Sequence, residues 1–178
     1  MSITDAVETV PAGTWRSDRT HSSIGFSVLH NRLTPFRGGF TEFEATLADG
    51  RLVGTANVES ITTEDENLTG HLLSPEFFDA ERNPVLRFAS LSTRREGDRV
   101  VIPGELTLKG VTNPIELYGR INGPVTDAYG RTRVGLDLET TIDRTDYGMN
   151  WNAPLPSGGN ALAEEVTLTA ELQFVQDD

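Results

Sequence analysis

Apolar side chains recur at every second position through most of this chain. Over 166–174, Val166, Leu168, Ala170, Leu172 and Phe174 alternate with Thr167, Thr169, Glu171 and Gln173. Over 134–142, Val134, Leu136, Leu138, Thr140 and Ile142 alternate with Gly135, Asp137, Glu139 and Thr141. Val100, Ile102, Leu106 and Leu108 share one parity across 100–108, and Ile115, Leu117 and Ile121 take the opposite one across 115–121. Ile24, Phe26 and Val28 repeat the pattern near the N-terminus. A period of two sends successive side chains to opposite faces of an extended strand. Each run therefore reads as an antiparallel strand, dry on one face and wet on the other.

Turn residues separate the runs. Asp49-Gly50 falls between runs at 38–47 and 51–59 as a hairpin signal, and Gly97, Lys109-Gly110 and Tyr129-Gly130 mark further reversals. Eight or nine strands result. One segment departs from the pattern: Thr63 followed three residues later by Glu66 is a capping box, predicting a short helix over 64–73. Pro75 after Ser74 predicts a helical turn over 75–80.

Eight strands with one apolar face each need that face covered, and two short helices cannot cover it. The sheet must fold onto itself, as a closed barrel or a two-sheet sandwich. The inner rows are mostly Val, Leu and Ile, which leave more room than a Phe/Trp core and point to a cavity. They nominate a lining. Ile24, Phe26, Val28 and His30 come from the first strand, and Val100, Ile102, Leu106 and Leu108 from a middle one. Leu136, Leu138, Leu168 and Leu172 come from the last two strands. Bulk at Val100 is expected to block uptake of a ligand more than it alters the fold. Arg144, Tyr147 and Trp151 gather where a strand meets a Gly/Pro-rich loop over 148–163, which is long enough to act as a lid, and are candidates for meeting a head group at the mouth. The blander expectation for Arg144 is an ion pair with Asp146 that fixes the turn. Phe77 and Phe78 are expected to plug one barrel end.

Composition narrows the function. The chain has 178 residues, the size of one domain, no cysteine, and 27 acidic against 15 basic residues for a net charge of −12. The missing cysteines exclude disulfides, thiolate metal sites and cysteine nucleophiles. The acidity argues against nucleic acid as a partner, because phosphate binding needs a basic surface. Residues 1–12 carry neither a basic start nor an apolar run, so they are expected to be a flexible tail on a cytoplasmic protein, with the folded domain over 13–178. His21, His30 and His71 lack close metal-ligand spacings, and no nucleophile elbow, phosphate loop or dinucleotide fingerprint is present. The chain is expected to bind rather than catalyse, with no cofactor or metal. The alternatives are a filled barrel acting as an interaction or stress-response module, or a haem or metal binder or enzyme using His30 or His71.

Several strings are more specific than this pattern. Trp15…Asp18…His21-Ser22…Phe26 opens the domain. It is followed by Ser74-Pro75-Glu76-Phe77-Phe78-Asp79-Ala80, by Gly104-Glu105-Leu106-Thr107-Leu108-Lys109-Gly110-Val111-Thr112-Asn113-Pro114, and by Arg144-Thr145-Asp146-Tyr147-Gly148-Met149. In order and spacing these resemble the YceI-like family of bacterial polyisoprenoid-binding proteins over about residues 13 to 175. The resemblance implies a lipocalin-like, eight-stranded antiparallel barrel with one or two short helices. Its apolar interior would hold an amphiphilic isoprenoid, a polyprenyl compound or isoprenoid quinone, as carrier or store. It further implies homodimers and, for a carrier of membrane lipids, transient membrane contact. Many similar proteins are periplasmic or secreted, unlike the expectation for this chain.

Overall fold

The structure is a computed structural model that describes residues 11–177. Most of the tail expected at 1–12 therefore lies outside the described residues. Among the described residues twelve strands are present: β1 (Thr14–Ser17), β2 (Ser23–His30), β3 (Thr34–Phe40), β4 (Phe43–Ala48), β5 (Arg51–Asn57), β6 (Ile61–Thr62), β7 (Val85–Ser90), β8 (Arg94–Glu96), β9 (Arg99–Leu108), β10 (Val111–Thr126), β11 (Thr132–Asp143) and β12 (Leu162–Gln176). One helix, α1 (Glu66–Leu73), and short 3-10 turns complete the described chain.

The pairings reduce twelve strands to eight. β1 and β2 both pair with β12, β1 through Ser17↔Phe174 and β2 through Phe26↔Leu168, so together they act as one bent strand. β3 with β4, β5 with β6, and β7 with β8 are broken in the same way, each piece pairing with its own stretch of the neighbouring strand. The order β1-β4-β5-β7-β9-β10-β11-β12 returns to β1 and closes an antiparallel barrel. Closure removes the edges an open sheet of this length would expose. The two-residue turns follow their sequences: φ is positive at both Asp49 (49°) and Gly50 (81°), and at both Lys109 (50°) and Gly110 (75°), as twist-compatible hairpins require.

The helix starts two residues later than its capping box suggests. Asp65 is the cap, its carboxylate accepting from the amides of Asn67 and Leu68, while the Thr63 hydroxyl accepts from the Asp65 amide. An aspartate oxygen is at least as good a cap as a threonine one, and here it stands directly before the helical residues. Residues 75–78 form hydrogen-bonded turns rather than a helix, with the amides of Phe77 and Asp79 both donating to the Ser74 carbonyl.

The two ends of the barrel differ. At the end that carries β1, Trp15, Leu47, Val100, Ile102, Val134, Leu136 and Phe174 are each at most 2% exposed and fill the interior. At the other end the strands splay. β10 pairs with β11 only from Tyr118↔Glu139 onward towards the solid end. Beyond that point 111–117 pair with β9, and 140–143 pair with β12, with no ladder between them.

Candidate functional site

The open half of the barrel encloses a cavity of about 180 Å³. Its wall takes inward rows from most strands, among them Ile24, Phe26 and Val28 of β2, Leu106 and Leu108 of β9, and Leu168, Ala170 and Leu172 of β12. Leu72 of α1 and Phe77 and Phe78 of the following turn roof it, Met149 joins from just after the 3-10 turn that follows β11, and Leu162 from the start of β12. The wall is almost wholly apolar, and Glu44 and Arg144 are the ionisable side chains among its lining.

Four phenylalanines concentrate on one side. Phe26 lies 6.4, 6.0 and 6.2 Å from Phe36, Phe40 and Phe78, and Phe40 meets Phe78 edge-on at 5.8 Å. Their placement depends on glycine. Phe26 is paired across strands with Gly38, where an added Cβ would sit 2.5 Å from the ring. Gly104 spares the Phe88 ring in the same way, at 2.6 Å. A missing side chain on one strand lets a ring on its neighbour lie along the wall instead of across the barrel.

Arg144 fastens the loop that follows β11. It is 3% exposed, and its guanidinium donates to the carbonyls of Ala163 (2.8 Å), Met149 (2.6 Å), Trp151 (2.9 Å) and Leu162 (3.4 Å). No carboxylate forms the expected pair: Asp146 is exposed and its carbonyl accepts from the Asn113 amide. Burial pulls the Arg144 pKa below its ordinary value, with Glu164 and Asp143 opposing at longer range. Asp143 is held low by the Thr145 hydroxyl and amide it accepts from. Asn152 adds a second clasp, bonding both the amide and the carbonyl of Leu162.

Of the fifteen residues nominated from sequence, Ile24, Phe26, Val28, Leu106, Leu108, Leu138, Leu168, Leu172 and Arg144 line the cavity. The remaining six lie elsewhere. Val100, Ile102 and Leu136 are buried in the solid end and do not reach the cavity wall, so bulk at Val100 threatens packing rather than uptake. The inner row of a strand runs the full height of the barrel, and parity does not say how high the cavity sits. His30 is exposed, because β2 runs past the rim at a break in its register with β12, between Leu162 and Val166. Tyr147 is 1% exposed and lies in the outer wall, in the cleft left by the splayed strands. Trp151 is half-buried and packs edge-on against His71 at 4.5 Å and near Phe77 at 5.7 Å. His71 in turn bonds Glu76 at 2.5 Å, tying α1 to the turn that follows it.

Phe36, Phe40, Phe43, Leu86 and Phe88 line the cavity without having been nominated. The break at Thr41-Glu42 flips parity between Phe40 and Phe43, so no continuous alternation runs through 34–48. Among them Phe40 alone directly follows a glycine, Gly39, and no local pattern marks the others as lining. Among the described residues, no three His, Asp, Glu or Cys side chains come close enough together to hold a metal ion.

A closed barrel of this kind now has counterparts. A family model described as the YceI-like domain matches residues 15–174. The chain belongs to the YceI-like family. A UPF0312 protein of Photorhabdus laumondii is 32% identical over 132 residues, covering 74% of this chain and 68% of that relative. The protein YceI of Salmonella arizonae is 31% identical over 153 residues, covering 86% of this chain and 77% of its own length. Among solved structures, BcnA of Burkholderia cenocepacia superposes with a TM-score of 0.76 at 19% identity, over 88% of this chain and 98% of that one. A polyisoprenoid binding domain from Saccharophagus degradans, implicated in plant cell wall breakdown, gives 0.71 at 14% identity over 94% and 100%. The YceI-like fold is thus common to chains that share little sequence with this one.

Proposed function

We propose that this protein binds an amphiphilic isoprenoid, a polyprenyl compound or isoprenoid quinone, with its chain inside the barrel, and acts as carrier or store. The observation that carries the proposal is a cavity whose wall is nearly free of ionisable side chains, inside a closed barrel of the YceI-like family. A structural neighbour described as polyisoprenoid-binding supports the choice of ligand class. Each buried methylene contributes about 0.8 kcal/mol, so apolar length supplies affinity readily and the head group must supply selectivity. The 180 Å³ space is below the roughly 300 Å³ at which pockets for drug-sized ligands begin. It takes a short apolar segment as it stands, and a longer chain requires the phenylalanine rings that line it to turn aside.

Native mass spectrometry after gentle extraction tests this directly. An isoprenoid adduct, or a rise in Tm on adding one, is the expected result. A persistently empty protein that no polyprenyl or quinone ligand stabilises overturns it.

A further inference from the structure

The barrel wall has a cleft on one side. Where β10 and β11 part, a groove of about 880 Å³ is lined by Asn113–Glu116 on one strand and Glu139–Asp143 on the other, with Asp146 and Tyr147 across its end. Ile115 and Ile142 line both this groove and the internal cavity, so two side chains form the partition between them. The splay is built into the ladders, since each strand keeps its outer neighbour while losing the other.

Tyr147 is the unusual member of this groove. Its side chain is 1% exposed, and its hydroxyl is buried with no hydrogen-bond partner among the described residues. Asn113, the polar side chain beside it, donates its amide to the Asp146 carbonyl at 3.0 Å, and its approach to the hydroxyl falls short of hydrogen-bond geometry and only partly offsets the effect of burial on Tyr147. A buried hydroxyl without a partner has given up its solvation without return, so it marks either strain or a place for an absent acceptor. Burial also raises its pKa, which keeps the proton on the oxygen and leaves it a donor.

The charge around it restricts the acceptor. The lining holds four carboxylates, Glu116, Glu139, Asp143 and Asp146, and no Lys, Arg or His. Glu116 faces Arg94 at 3.6 Å, and Asp143 is occupied by Thr145. Lys109 points its ammonium at the carbonyls of Pro75 and Gly148, and Arg144, in the cavity wall, is committed to four backbone carbonyls. A phosphate or diphosphate here would meet a surplus of negative charge, with the neighbouring Arg94 already paired to Glu116.

We propose that the groove between β10 and β11 is a head-group site, in which Tyr147 donates to an uncharged oxygen such as a ketone, quinone carbonyl or alcohol, while the attached chain passes between Ile115 and Ile142 into the barrel. The inference rests on the lipid-binding reading above and narrows it to neutral head groups. Charged phosphate esters are disfavoured.

Four probes with one chain test it: farnesylacetone, farnesol, farnesyl phosphate and the hydrocarbon farnesane. Titration of the parent protein should rank the ketone and alcohol above the phosphate. Tyr147→Phe should weaken the ketone and alcohol by about tenfold and leave farnesane unchanged, the size of one buried hydrogen bond. The empty variant should melt at or above the parent, because an unpartnered hydroxyl is all that is removed. Loss of Tm would mean that the hydroxyl already has a partner, and equal weakening of all four probes would mean a change of shape; either overturns the head-group site. So does phosphate binding as tightly as ketone, or ketone binding that ignores the substitution. If neither farnesane nor farnesylacetone binds the parent, the lipid-binding reading fails and takes this one with it.

Discussion

Ala170→Phe separates a cavity from a core. Ala170 sits on β12 with Leu138 and Ile24 as its cross-strand neighbours, and all three line the void. The new ring occupies space that a bound chain would use. Six ring carbons displacing methylenes at about 0.8 kcal/mol each set a ceiling near 5 kcal/mol. A chain that slides along the barrel recovers about half, leaving about 2.5 kcal/mol, near a hundredfold in Kd. Stability moves differently. At about 24 cal/mol per Å³, an empty space of 180 Å³ costs the protein about 4 kcal/mol, and a ring filling half of it restores about 2 kcal/mol. Strain from an added ring runs to about 1–3 kcal/mol, so the two effects nearly cancel. The expected outcome is a Tm within about 4 °C of the parent by calorimetry. Titration with an isoprenoid alcohol should show affinity reduced by about two orders of magnitude. A Tm more than about 10 °C lower would show an interior already full, and unchanged affinity would place the chain elsewhere. Either result refutes the reasoning.

Val100→Trp, by contrast, forces bulk into the solid end beside a residue set at most 2% exposed, and should abolish cooperative unfolding, read by near-UV circular dichroism. Arg144→Met removes four donors from buried or half-buried carbonyls and should cost about 3 kcal/mol or more, with hydrogen exchange rising first across 148–163. Gly119→Ala sets a Cβ 1.7 Å from the Asp137 carbonyl and should break the β10–β11 ladder next to its splay, lowering Tm by more than an ordinary glycine substitution. Arg133 bonds Asp127 (2.7 Å) and Asp18 (2.8 Å). Hydrogen bonds from His21 and Arg133 hold the Asp18 carboxyl at about 2, and Arg133 holds that of Asp127 at about 2. Unfolded aspartate titrates near 3.9, so this stabilisation is full above about pH 4 and is lost as pH falls through about 2. Urea midpoints across that window should fall less steeply in Arg133→Gln, and equal slopes would count against the linkage.

The barrel was legible because its signal is local. Alternation in 100–108, 134–142 and 166–174 names the inner face of a strand without knowledge of its neighbours, and the Asp49-Gly50 and Lys109-Gly110 turns set the hairpins between strands. What stayed hidden depends on height and on pairs. Leu136 and Leu138 have the same parity on one strand, yet Leu138 faces the void and Leu136 the packed end. Only the register with β10 and β12 separates them. The bent strands hid Phe40 and Phe43, whose opposite parities are reconciled by a break after Phe40. Arg144 stands out in the sequence by its place where a strand meets the Gly/Pro-rich loop, but its four carbonyl partners lie across a loop that no spacing rule describes. The sequence pattern puts Tyr147 at the mouth because it does not show that β10 and β11 part.

The division of the barrel into a solid and a hollow half follows from energetics rather than from shape alone. A void costing about 4 kcal/mol is a large share of the 5–15 kcal/mol that holds an ordinary domain together. A barrel hollow along its full height would lose a multiple of that and have little packing left to fix its register. Concentrating Trp15, Leu47, Ile102, Leu136 and Phe174 at one end keeps the closing pairing of β1 with β12 where side chains are densest. The other end, roofed by α1 and tied by Arg144, then tolerates an empty space and parted strands. A ligand that fills the void returns the missing contacts to the hollow half, and its arrival is therefore expected to raise the stability of α1 and the loop after β11 more than that of the packed end. Hydrogen exchange measured with and without an isoprenoid reads this directly. Protection that rises evenly over both halves would mean that the two ends are one cooperative unit and that the division has no energetic meaning.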